Sequence, residues 1–107
     1  MDLLGRTEEI ILLTVWRLQE DAYGVSIRNE LRQRTLKDWS IGAIYAPLHR
    51  LEKKGLVSTR FGEPESKRGG RRTVLYSLTS RGKGALLEMK EVQDSLWTGI
   101  VNLKTAL

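Results

Sequence analysis

The chain has 107 residues, with 18 Lys plus Arg against 13 Asp plus Glu, a net charge of +5 and a hydrophobic fraction of 40%. That length suits one compact domain and excludes an enzyme built as two lobes around a cleft, while the composition is that of a chain able to bury a core. The absence of cysteine and the single histidine, His49, exclude disulfides, thiol nucleophiles, cysteine-bound zinc and a His-rich metal site, so no metal and no cofactor is expected.

The N-terminus has no cationic leader before an apolar run, and no stretch approaches the about 18 apolar residues of a membrane helix. A cytoplasmic protein with no membrane partner is expected. An enzyme is not, because no Ser–His–Asp order, carboxylate pair or nucleotide fingerprint is present. Gly82-Lys83 fails as a phosphate loop because position 77 is Ser where that motif needs Gly.

Charge is localised. Between Arg60 and Lys83 seven basic residues face only Glu63 and Glu65, and the rest of the chain is balanced. Such a patch on a small domain is the electrostatic footprint of a polyanion partner, against the blander alternative of a solubilising loop.

Residues 7–19 predict a helix, with Thr7 as cap and Glu8 and Glu9 at the positive end of its dipole. Its apolar residues run nearly all round, which predicts a helix central to the core and also shared with a second copy. After a turn at 21–24, a second helix is expected over 24–35, with Ile27 and Leu31 inward. Ser40 should cap a third helix, whose apolar stripe is Ile41, Ile44, Leu48 and Leu51 and whose C′ residue is Gly55. Pro47 inside it removes a backbone hydrogen bond and should bend it.

Residues 56–61 and 73–78 alternate as strands, with Val57, Thr59 and Phe61 on one face of the first and Val74, Tyr76 and Leu78 on one face of the second. The intervening Gly62 to Arg72 carries Pro64, Gly69, Gly70 and the basic cluster. Thr79 should cap a last helix running to about Lys104, weakened by Gly82 and Gly84. Its stripe of Met89, Val92, Leu96, Ile100 and Leu103 would extend beyond so small a body, so a second copy is the economical partner.

The order is therefore a mainly α chain with a β-hairpin wing (α+β): a winged helix-turn-helix with a long C-terminal dimerisation helix. Residues 1–80 would form the winged-helix DNA-binding domain and 81–107 the dimerisation helix, as one compact unit. A tight helix pair whose second member starts with small residues suits the major groove, and a basic ribbon beside it suits the adjacent phosphates. The partners are double-stranded DNA and a second copy of the chain. The alternatives are a winged-helix protein-interaction module and a non-specific architectural DNA binder.

Tyr23-Gly24, the run Ser40-Ile41-Gly42-Ala43-Ile44-Tyr45, the run from Leu48 to Val57, and Tyr76-Ser77-Leu78-Thr79-Ser80-Arg81-Gly82 together resemble the PadR-type winged-helix regulators, over essentially the whole chain. In one respect the chain departs from that family. Proline usually follows the motif tyrosine directly, whereas here Ala46 follows Tyr45 and Pro47 comes one position later. The resemblance implies that the third helix enters DNA, the wing contacts backbone or minor groove, and the first and last helices build a dimer. It also implies a repressor of transcription, released by a small molecule.

The candidate recognition-helix residues are Ser40, Gly42, Ala43, Tyr45, Ala46, His49 and Arg50. Arg50 would pair with a guanine edge or a phosphate and Tyr45 with a phosphate, although Tyr45 reads equally as a core-edge aromatic and His49 as a plain exposed polar residue. The wing candidates are Lys67, Arg68, Gly69, Gly70, Arg71 and Arg72. Dimer contacts are assigned to Ile11, Val15, Met89, Val92, Leu96, Ile100 and Leu103. Trp97 is the candidate contact for a small aromatic effector stacked across a twofold axis, with ordinary dimer packing as its alternative. Glu52 reads as a salt-bridge partner.

Overall fold

The computed structural model describes residues 3–63 and 72–107. Its elements are α1 (Arg6–Leu18), a 3-10 turn (Gln19–Asp21), α2 (Gly24–Thr35), α3 (Ile41–Lys53), β1 (Val57–Phe61), β2 (Val74–Leu78), α4 (Ser80–Trp97) and α5 (Leu103–Ala106). This is a winged helix-turn-helix with one antiparallel hairpin and a long C-terminal helix.

α1 starts at Arg6 because Glu8 folds back to accept from the Gly5 amide at 3.3 Å, closing the first turn without Thr7 as cap. α2, α3, α4 and β2 all pack on α1, and Ile11, Leu12 and Val15 are fully enclosed. The opposite side, with Leu13 and Trp16, stays exposed. Two expected dimer contacts are thereby corrected. Ile11 and Val15, 0% and 1% exposed, belong to this chain's own core, so a second copy has no surface there to touch.

At the start of α2, Ser26 closes the turn: its hydroxyl accepts from the Tyr23 amide at 2.9 Å and reaches the Asp21 carbonyl. Ile27 and Leu31 face the core as expected. The helix stops at Leu36, whose amide still donates to the Arg32 carbonyl at 2.9 Å and whose left-handed φ of 58° then turns the chain out of the helix. The Trp39 indole then donates to Thr35 Oγ1 at 3.0 Å, fixing the turn into α3.

Ser40 caps α3 by accepting from the Ala43 amide at 3.1 Å. Ile44, Pro47, Leu48 and Leu51 are buried, and the helix is continuous through Pro47. Ile41 departs from the expected stripe. It lies one turn beyond the part of α3 that the core covers, and it is exposed. Gly55 takes the left-handed φ of +74° that ends the element.

β1 pairs antiparallel with β2 from Val57↔Leu78 to Phe61↔Val74, and the Gly62 amide extends the ladder to the Thr73 carbonyl at 2.7 Å. The other edge of β2 is tied to the body where the Tyr76 amide donates to the Ala22 carbonyl at 2.8 Å. Only the foot of the ribbon is covered. Val57 and Tyr76 are buried, whereas Thr59, Phe61 and Val74 are exposed because the ribbon leaves the core.

Thr79 caps α4 twice over, donating to the Gly55 carbonyl at 2.6 Å and accepting from the Gly82 amide at 3.0 Å. Gly82 is needed for packing: a Cβ there would lie 2.0 Å from the Leu56 carbonyl oxygen. α4 ends at Trp97, short of the Lys104 expected from its stripe, because Gly99 at φ +79° turns the chain before α5. The radius of gyration is 16.0 Å with a longest extent of 54 Å, against about 13 Å expected for a compact domain of this size. Residues 94–107 are all exposed, so the C-terminal segment projects as an arm.

Candidate nucleic-acid interface

α3 presents one uncovered face. Gly42, Ala43, Ala46, His49 and Arg50 are all exposed, and a Cβ on Gly42 would meet nothing within 4 Å. A surface of small residues lets a rigid partner approach the helix backbone closely. A groove about 12 Å wide is such a partner.

Tyr45 stands at one edge of this face, with its hydroxyl packed into α2. A Cβ at Gly24 would lie 2.1 Å from that oxygen, so the Tyr23-Gly24 motif exists to seat the tyrosine. The His49 ring is tilted at 45° to the Tyr45 ring with centroids 6.4 Å apart. Ser40 is exposed, and its hydroxyl is already used by the Ala43 cap.

At the other edge lies a charge cluster. Glu8 is buried against α3, accepting from Lys54 Nζ at 2.7 Å, with Arg50 Nε 4.0 Å away. Burial pushes its carboxyl up, but the hydrogen bonds from Lys54 and Gly5 and the charges of Lys54 and Arg50 outweigh it. The net result lies below the usual 4.5. Arg50 therefore leans toward α1 while half of its side chain remains in solvent.

Glu52, expected in an ion pair, instead accepts a hydrogen bond from the Thr59 hydroxyl at 3.2 Å, joining α3 to β1. Beneath it Tyr76 is buried. Its phenol is raised above 10.0 by that burial, then by Tyr45 and Glu52 nearby.

Of the wing candidates, Arg72 is exposed at the mouth of the hairpin stem. Lys67, Arg68, Gly69, Gly70 and Arg71 lie outside the described residues. Arg60, also exposed, sits opposite Leu75 on the stem. Ile41 shares the direction of Leu48, two turns further along, but is exposed because the core ends before it reaches the first turn of α3.

The proposed dimer contacts divide. Met89 and Val92 are half-buried, while Leu96, Ile100 and Leu103 are exposed along the arm. Trp97, also exposed, lines a shallow hollow with Ile100, Val101 and Leu103. An apolar groove of about 500 Å³ lies elsewhere, between α1, the end of β2 and α4, walled by Leu13, Trp16, Leu78, Leu86 and Leu87. At its rim the Lys83 ammonium sits 5.4 Å from the centre of the Trp16 ring. Among the described residues no group of His, Asp and Glu could hold a metal ion, and no helix is long and apolar enough to cross a membrane.

A winged helix-turn-helix whose third helix keeps one face of small residues uncovered is the architecture of a DNA-binding transcriptional regulator. The comparisons with known proteins agree: residues 12–88 match the transcriptional regulator PadR-like family, and the chain belongs to that family. It is similar to an uncharacterized protein of Lysinibacillus sphaericus, 33% identical over 105 residues that cover 90% of this chain and 92% of the relative. Among solved structures, a PadR family transcription regulator from Clostridium difficile is 29% identical with a TM-score of 0.71, covering 86% of this chain and 91% of that one. A PadR-like transcriptional regulator from Bacillus cereus is 26% identical with a TM-score of 0.69, covering 85% of this chain and 84% of that one. Members of the PadR-like family regulate transcription and are not enzymes.

Proposed function

We propose that the protein is a cytoplasmic, sequence-specific repressor that binds an inverted-repeat operator as a homodimer and is released by a small aromatic effector. The observation that carries this reading is the uncovered face of α3, open at Gly42. In this reading Gly42, Ala43 and Ala46 allow the close approach, Ser40 holds the first turn, and His49 and Arg50 reach base edges or phosphates. Tyr45 presents its edge to the backbone. Lys67, Arg68, Arg71 and Arg72 neutralise phosphates, with Gly69 and Gly70 permitting the turn between them.

Residues 1–80 form the reading unit and 81–107 the pairing unit. Leu96, Ile100 and Leu103, exposed along the arm, are joined by Met89 and Val92 in contacting a second copy. Trp97 contributes the aromatic surface for the effector.

The test is selection of bound duplex from a random pool. Enrichment of an inverted repeat with half-site centres about one helical turn apart, ~34–36 Å, or a multiple of it, is expected. Uniform weak retention of all sequences would support an architectural binder, and no retention would support a protein-interaction module. The double substitution Arg71→Ala plus Arg72→Ala should weaken binding to all sequences alike and lower the salt slope by up to ~0.9 for each phosphate no longer neutralised. An unchanged slope removes the wing from the interface.

A further inference from the structure

The first turn of α3 contains Ile41, a large aliphatic side chain left 62% exposed at the head of the helix. Its neighbours limit what this turn can recognise. Gly42 has no side chain and Ala43 only a methyl, and Ala46, one turn further along, adds only another. The Ser40 oxygen is held against the helix end by the Ala43 amide at 3.1 Å, and the Tyr45 hydroxyl is packed against Gly24. Hydrogen-bonding side chains free to turn toward a base begin only at His49 and Arg50, more than one turn later.

A helix entering the major groove contacts base edges mainly with its N-terminal residues. In this protein those residues offer carbon. Only one base presents a methyl group on its major-groove edge: thymine, at C5. We infer that Ile41 is a base-reading residue that selects a thymine in each half-site by packing on its methyl group, given that α3 enters the groove as proposed above. The same contact explains an isoleucine left in solvent at a position where a polar residue would otherwise be favoured.

Uracil differs from thymine only by that methyl, so it isolates the contact. The probe is the duplex enriched from the random pool, with each thymine replaced in turn by uracil. Wild-type protein should lose roughly fourfold in affinity at one thymine per half-site, the equivalent of one buried methylene. Ile41→Ala should lose a similar amount on the thymine duplex and no longer distinguish thymine from uracil there. Its exposure makes this substitution harmless to the fold, which a thermal melt checks.

Equal thymine-to-uracil ratios for wild type and Ile41→Ala at every position would overturn the inference. Gly42→Glu separates this failure from that of the underlying reading, since a carboxylate there would repel phosphates if α3 enters DNA. Loss of binding in Gly42→Glu without any methyl effect sinks the role of Ile41 alone. Full binding by Gly42→Glu, or a pool with no enriched sequence, sinks both.

Discussion

Two glycines admit atoms that a Cβ would displace, one beside α3 and one at the foot of the hairpin. Gly82 admits the Leu56 carbonyl, 2.0 Å from where a Cβ would stand, and Gly24 admits the Tyr45 hydroxyl at 2.1 Å. The obstacles differ: one is backbone, the other the far end of a side chain that can swing aside. Gly82→Ala should therefore destabilise by about 1–3 kcal/mol or more, and Gly24→Ala by less, in denaturant titrations. Equal costs would mean that Tyr45 is as immobile as backbone.

Glu8 gives the protein a pH dependence. Its folded carboxyl binds a proton less tightly than the unfolded chain does, so its contribution is present above the ordinary carboxyl range and lost as pH falls through and below about 4.5. Between pH 6 and 3 the melting temperature of Glu8→Gln should fall less steeply than that of the wild type. Parallel curves would exclude Glu8 as a source of acid lability.

Among the elements, the turn between α2 and α3 carries local strain. Leu36 holds a left-handed φ of 58° and is 87% exposed, so it accepts backbone strain without packing in return. Leu36→Gly should stabilise by up to about 1 kcal/mol, since the strain of about 1–2 kcal/mol is partly offset by unfolded-state entropy. At the start of α4, Thr79→Ala removes both an amide acceptor and the tie to Gly55 and should cost about 0.5–2 kcal/mol. The caps at Ser40 and Thr79 were legible from their residue types, because a hydroxyl just before a helical stripe has one favourable use. The start of α1 was not, because its cap is a glycine amide served by Glu8 three residues later, a bond between side chain and backbone that periodicity does not register.

The arm decides the behaviour of the whole molecule. An exposed series of Leu96, Trp97, Ile100 and Val101 at the end of a 54 Å molecule leaves apolar surface without cover. Sedimentation should give twice the chain mass at micromolar concentration, falling to one chain in Leu96→Asp plus Ile100→Asp. A wild-type monomer would refute pairing through the arm. The length of the arm was overestimated from the sequence because a stripe at helical spacing continues in phase through Gly99, while the chain itself turns there.

The order of the main elements, the caps at Ser40 and Thr79, the glycine closing α3 and the concentration of charge between Arg60 and Lys83 were determined by the sequence itself, since each depends on residue type and near neighbours along the chain. Which apolar residues would be inside was decided by tertiary structure. Ile11 and Val15 are enclosed because four elements converge on α1, while Ile41 and Phe61 stay in solvent because the body ends before it reaches them. Periodicity fixes the direction in which a side chain points. Burial also needs something on the other side to point at, and that is a property of how the elements meet.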